Sequence, residues 1–223
     1  MVKQTISAAQ ITAAAFEIMQ TGGTVEQLSI RKIAAKLHIG VATFYWHFEN
    51  KQALLQAMAD EIIAGIQFPP TTTAMPWTEQ IKLIFKTIYA TYLEQPYAAE
   101  LMLRTVPATK IRLSLINRLL QILLDAGFTP EQSNLAIESI DHFMSGLFAD
   151  IAGEIEMKQR ALSQTDPYLA QLPLKMKTIA ADTHFDAFLK TFEHHRQQQQ
   201  HSAEKFMLGL DIFLAGLEQQ RHS

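Results

Sequence analysis

A chain of 223 residues, nearly half of them hydrophobic (48%), can bury a sizeable core, which excludes an intrinsically disordered protein. With no cysteine, disulfide frameworks, thiol nucleophiles and thiolate metal sites are excluded together, and a reducing compartment is compatible. The net charge of −3 speaks against a nucleic-acid partner only until it is divided: residues 1–58 carry five basic side chains (Lys3, Arg31, Lys32, Lys36, Lys51) against three acidic ones (Glu17, Glu26, Glu49). A mildly basic head on an acidic remainder is compatible with DNA contact through one end.

Helical periodicity runs from the start, and no alternating β-branched stretch competes with it. Ser7 is placed to cap a first helix with Ile11, Ala14, Ala15 and Ile18 on its apolar face, ended by Gly22-Gly23. Ser29 caps a short second helix that turns Ile33, Ala34 and Leu37 inward. Gly40 breaks the chain, a third short helix spans about Val41 to His47, and a fourth begins near Asn50 and carries Leu54, Leu55, Met58, Ile62 and Ile63. The prolines of Phe68-Pro69-Pro70 and Met75-Pro76 interrupt helix and mark a boundary.

Beyond it, helices fit residues 77–95, 97–104, 108–126 and 130–160, the last capped by Thr129 with Pro130 in its first turn. Between 161 and 202, Asp166-Pro167 and Leu172-Pro173 read as breaks, with helical fragments around Phe185, Phe188, Leu189 and Phe192. The tract His194-His195-Arg196-Gln197-Gln198-Gln199-Gln200-His201 lacks a third ligand at metal spacing and reads as a solvated connector. A final helix runs from about Ala203 to Gln219. The expectation is an all-α protein: a three-helix N-terminal unit over 1–49, a connecting helix over 50–67 and a helical domain over 68–223. No charged start leads into an apolar stretch, and no uncharged run reaches the ~18 residues of a membrane span, so a soluble cytoplasmic protein with no membrane contact is expected.

Residues 28–51 hold the chemistry. Two short helices joined by a glycine-containing turn meet the requirements of a helix-turn-helix, with Ala34 and Ala35 small enough for a close crossing and Leu37, Ile39 and Phe44 as apolar anchors. Thr43, Tyr45, Trp46 and His47 crowd the third helix, and a unit this small cannot bury all of that aromatic area. Their phenol, indole and imidazole groups can donate hydrogen bonds to phosphate oxygens. Lys51, at the positive end of the fourth helix, adds an ammonium suited to phosphate. An ordinary helical hairpin with an aromatic core fits the same spacing.

The run Thr-Phe-Tyr-Trp-His-Phe-Glu-Asn-Lys at 43–51, followed by Leu54-Leu55, resembles the recognition helix and exit of the tetracycline-repressor (TetR) family. The resemblance is strong over residues 7–65 and patchy afterwards, resting there on Trp77, Gly127-Phe128, His142-Phe143 with Gly146, and Gly209-Leu210 leading to Gly216-Leu217-Glu218. It implies a helix-turn-helix DNA-binding domain followed by a domain that binds an effector and dimerises. Carried over by position, Arg31 contacts a base, Val41 and Ala42 meet base edges, and Tyr45 meets a base face or sugar. Ser29, Lys32, Thr43, Trp46, His47 and Lys51 then position phosphates. The tetracycline branch carries glutamine and proline where this chain has Val41 and Ala42, so the resemblance implies a different operator.

The same resemblance places a pocket between the helices at 77–95, 97–126 and 130–152. Its expected apolar lining is Phe85, Ile88, Tyr89, Tyr92, Met102, Phe143 and Phe148. Arg104, Asn117, Gln121 and His142 are the expected polar contacts, His142 being equally readable as a core histidine near a dimer interface. The branch's drug- and magnesium-binding positions fall on Gln67, near Ile84 and Ile88, and near Met102 or Leu103, so a hydrophobic or aromatic effector is expected rather than a metal chelate, with no cofactor and no metal. Small residues at 136, 139, 146, 149, 209, 215 and 216 suit a four-helix dimer interface or close packing within one chain. The functional expectation is a ligand-responsive homodimeric repressor on a palindromic operator. A helical adaptor without sequence-specific DNA affinity is the alternative; no phosphate loop, nucleophile elbow or carboxylate cluster points to an enzyme.

Overall fold

Helix starts fall where side chains satisfy free backbone amides. Helix α1 (Ala8–Gln20) opens with a closed capping box: the Gln10 amide donates to Ser7 Oγ at 3.2 Å, and the Ser7 amide donates to Gln10 Oε1 at 2.9 Å. Ser29 Oγ accepts from the Lys32 amide to start α2 (Ile30–Lys36), and Asn50 Oδ1 accepts from the Ala53 amide to start α4 (Lys51–Gly65). Between them α3 (Val41–Tyr45) follows Gly40 without a side-chain cap and stops two residues short of the expected end at His47. In this computed structural model residues 6–21, 24–163, 166–197 and 203–221 are described, with no strand among them. The Gly22-Gly23 stop lies outside those residues, as do positions 198–201 of the polar tract.

The remaining helices are α5 (Trp77–Glu94), α6 (Tyr97–Leu103), α7 (Lys110–Asp125), α8 (Pro130–Leu162), α9 (Pro167–Asp182), α10 (Asp186–Gln197) and α11 (Ala203–Gln220). Pro173 does not break the chain as expected but sits inside α9. A proline there removes one backbone hydrogen bond. Helix α9 packs against both α8 and α10, and that packing carries it across the gap.

The turn between α2 and α3 differs from expectation in which residue makes it. Gly40 has ordinary extended geometry (φ −71°), whereas His38 takes the left-handed conformation at φ 54°. The His38 amide donates to the Ala35 carbonyl and the Ile39 amide to the Ala34 carbonyl, a Schellman closure that satisfies the last carbonyls of α2. The same closure with Gly127 (φ 95°) ends α7 and aims Phe128 back at the core.

Ile11, Ala15, Ile33, Phe44, Leu54 and Met58 are fully buried at the centre of the first four helices. Their core is continuous with that of the body through α4, whose Ile62 and Ile63 join Ile84, Phe85 and Leu101. Farther along, Tyr89 stacks on Phe206 with ring centroids 4.6 Å apart, fixing α11 across α5. Because His38 must hold a left-handed backbone, His38→Val is expected to cost about 1–2 kcal/mol despite its exposure, read as a lowered denaturation midpoint. An unchanged midpoint contradicts the assigned turn.

A candidate DNA interface and an internal cavity

Phe44 anchors α3. It is wholly buried, with Phe48 and Tyr45 each 5.7 Å away between ring centroids. Fixing Phe44 inward turns the next residues outward: Trp46 is 81% and Tyr45 53% exposed, with Val41 and Ala42 on the same open side. Arg31 and Lys32 are also exposed, and neither side chain has a hydrogen bond or ion pair among the described residues. Thr43 and His47 are half-buried at the edge of this surface, and half-buried Ser29 spends its hydroxyl on the α2 cap. A large exposed indole and two exposed, unpaired cations in one small head are unlike an inert helix hairpin.

Lys51 departs from expectation. Its Nζ donates to the Val25 carbonyl at 2.6 Å and the Glu26 carbonyl at 3.3 Å, tying α4 to the turn before α2. Burial and the nearby Arg104 guanidinium hold its ammonium below the usual lysine range. In this structure its ammonium is engaged with the head's own backbone.

Arg104 also departs from expectation: it faces the head, not the expected pocket between the helices of the body. Its Nη2 donates to Glu26 Oε1 and its Nε to Glu100 Oε1, both at 3.0 Å, while Glu100 Oε2 accepts the Val25 amide. Next to this junction, α4 is held along one side. Gln52 Nε2 donates to the Arg104 carbonyl; Gln56 exchanges two 2.9 Å hydrogen bonds with the Val106 backbone; Asp60 Oδ1 accepts from Thr109 Oγ1. Positions 52, 56 and 60 recur every four residues, so one helix face grips the 104–109 loop.

Behind that loop lies a cavity of about 380 Å³ between α4, α5, α6, α7 and α8. Of the expected lining, Phe85, Ile88, Tyr92 and Met102 form its wall. Tyr89 and Phe148 do not; Tyr89 packs against both Phe148 and Phe206 in the neighbouring core. Asn117 and Gln121 point away from it, exposed, with Gln121 donating to Asp125. The reason is helical phase: Arg112, Leu115, Ile116 and Leu119 turn inward on α7, so 117 and 121 must turn outward. His142 and Phe143 lie on the outer face of α8, where Phe143 stacks toward Phe206.

Besides the Tyr92 phenol, the cavity's polar groups are Thr105, Arg112, Asn134, Glu138 and Asp141, none of them anticipated. Arg112 is only 8% exposed, and its Nη1 donates to Thr105 Oγ1 at 2.9 Å and the Val106 carbonyl at 3.0 Å. Its i−3 and i−7 spacing to Leu115 and Leu119 was the available signal. Burial lowers the guanidinium's pKa, against the opposing fields of Asp60, Tyr92 and Asp141. Burial likewise raises that of Asp141, and raises the Tyr92 phenol far above its ordinary value.

Residues 11–58 match the family model described as "Bacterial regulatory proteins, tetR family", and residues 68–221 match "Tetracyclin repressor-like, C-terminal domain". The chain belongs to the TetR family. This regulator is 26% identical over 170 residues to the class E tetracycline repressor of Escherichia coli, covering 74% of this chain and 78% of that one. It is 30% identical over 134 residues to the class D repressor, covering 60% and 61%, and 24% identical over 224 residues to the repressor DrrR1 of Streptomyces coeruleorubidus, covering 97% and 78%. Apo ActR from Streptomyces coelicolor shares its fold at a TM-score of 0.76 and 22% identity over 98% of this chain and 99% of that one. A TetR variant from Acinetobacter baumannii with minocycline follows at 0.65 and 23%, over 98% and 99%. No described helix of the regulator is long and apolar enough to cross a membrane.

Two substitutions separate framework from contact surface. Lys51→Met is expected to destabilise the head by roughly 1–2 kcal/mol, through lost charge-assisted hydrogen bonds, while leaving the salt dependence of DNA binding unchanged. Trp46→Ala is expected to do the reverse: unchanged melting, weaker binding to every duplex. Calorimetry and fluorescence anisotropy at several salt concentrations check both, and a salt slope reduced by Lys51→Met would return that lysine to the phosphates.

Proposed function

We propose that this TetR-family regulator is a cytoplasmic, ligand-responsive repressor that binds a palindromic operator as a homodimer and leaves it when a small hydrophobic effector fills the cavity. Residues 1–49 serve as the DNA-binding domain, 50–67 as the connecting helix, and 68–223 as the effector-binding and dimerising domain. The observation that carries this reading is Trp46 and Tyr45 standing out from a fully packed head beside the unpaired Arg31 and Lys32. Arg31 reads a base, most simply a guanine edge; Val41 and Ala42 offer only methyl groups and suit thymine; Tyr45 meets a base or sugar. Ser29, Lys32, Thr43, Trp46 and His47 take phosphates and fix register. ActR solved with actinorhodin and the minocycline-bound TetR variant support a small-molecule effector for the same fold.

Dimerisation is supported by the outer face of α8 and α11. Leu135, Leu208 and Ile212 are more than half exposed, and Gly146 and Gly216 have nothing within 4 Å of where a side chain would begin. These glycines are therefore not explained by packing within the chain. Gly209 is, since a Cβ there would lie 2.5 Å from the Phe143 ring. A second copy seated on this face sets two α3 helices about one DNA turn apart. Effector entry acts on α4 through the 104–109 loop and alters that separation.

Anisotropy with the duplex flanking the regulator's own gene, against a scrambled duplex, tests the reading; equal affinities overturn it. Arg31→Ala is expected to relax preference at one base pair by about 1–3 kcal/mol. Ile212→Glu, which buries a charge in the proposed interface, is expected to yield monomers in sedimentation and to abolish operator binding without unfolding the chain. A dimeric Ile212→Glu protein removes α11 from the interface.

A further inference from the structure

Arg112 is out of place in a cavity wall made mostly of Phe85, Ile88, Met102, Leu119 and Met144. A guanidinium this buried ordinarily has a carboxylate partner. Asp60 and Asp141 act on its charge, yet no ion pair joins Arg112 to any described residue. Only Nη1 is hydrogen-bonded; Nε and Nη2 have no partner and still keep accessible surface, since the one fully enclosed side-chain polar atom without a partner among the described residues is Ser133 Oγ. Two parallel donors are thus left on a planar fork at the side of an apolar chamber, an arrangement complementary to a paired-oxygen anion.

We propose that the effector is an amphipathic monoanion, an apolar body carrying one carboxylate- or sulfonate-like head, and that Arg112 is its anchor. This rests on the cavity being the effector site and adds the chemistry of what enters. Glu138 and Asp141 stand on the α8 wall, so Arg112 can offset their repulsion for one negative charge, while the second charge of a phosphate or other dianion has no cation to offset it. The bonds that Nη1 now makes are to Thr105 and the Val106 carbonyl, in the same loop that grips α4 through Gln56. An anion drawing the guanidinium inward competes with those bonds and loosens the loop. Arg112 is therefore both the contact and the trigger.

Two probes with the same apolar body isolate the head group: 8-anilinonaphthalene-1-sulfonate, which is anionic, and N-phenyl-1-naphthylamine, which is neutral. Fluorescence titration of the full-length protein is expected to show the anion bound at least about tenfold more tightly, the scale of a charge-assisted hydrogen-bonded pair. Arg112→Gln is expected to erase that preference while moving the neutral probe's affinity by less than about twofold, and Arg112→Lys to retain part of it. Ile116→Trp, which fills the chamber from a half-buried wall position, is expected to weaken both probes. Hydrogen exchange at the Val106 amide is expected to quicken with the anion and not with the neutral probe.

Equal affinity for the two probes in the wild type, with both lost in Ile116→Trp, overturns the acid while leaving the cavity as a binding site. A loss of both probes alike in Arg112→Gln overturns it too. Indifference of both to Ile116→Trp means they bind elsewhere and overturns the cavity reading itself. An unchanged Val106 exchange rate with the anion bound overturns the trigger.

Discussion

Helix α4 has no face free to move independently. Its apolar side, Leu54, Leu55, Met58, Ile62 and Ile63, is shared between the cores of the head and the body. Its polar side, Gln52, Gln56 and Asp60, is hydrogen-bonded to the 104–109 loop. That loop in turn supplies Thr105 and Pro107 to the cavity wall. The cavity wall and the head are therefore joined through α4 and the 104–109 loop by direct contacts. At roughly 0.5–1.5 kcal/mol net each, the loss of two such hydrogen bonds is on the scale of the ~1–3 kcal/mol by which effectors typically alter affinity at a second site. The connection is strong enough to hold one state and weak enough for a small ligand to reset.

The charges divide by depth. Around the junction of head and body, Glu26, Glu100 and Arg104 pair in the open, where water screens them and they set orientation more than they add stability. Lys51, deeper and bonded to carbonyls, is a strut. Arg112, deeper still, is the most desolvated of these cations and has no ion pair among the described residues. A buried charge held by two neutral acceptors and no ion pair is one that a ligand can compensate further.

Glycine placement separates what the chain does alone from what it does in pairs. Gly209 is needed within the chain, because the Phe143 ring already occupies the space beside it. Gly146 and Gly216 lie open on the α8–α11 face among exposed Leu135, Leu208 and Ile212. In sequence the three glycines looked alike.

Much of the fold was legible in the residues because its signals are local. The caps Ser7, Ser29, Asn50 and Thr129 and the proline-rich link each act within a few positions, and the helices begin and end where those signals stand. The 43–51 run was similarly legible, since a large aromatic surface on a five-residue helix must be partly exposed. Only the tertiary structure decided the rest. It gave the left-handed turn conformation to His38, carried α9 through Pro173, committed Lys51 to carbonyls 25 and 26 residues away, and drew Arg104 to Glu26. It also set the rotation of α7, which exchanged Asn117 and Gln121 for Arg112 at the cavity. Those outcomes depend on which distant groups arrive beside a side chain, and short-range periodicity carries no information about that.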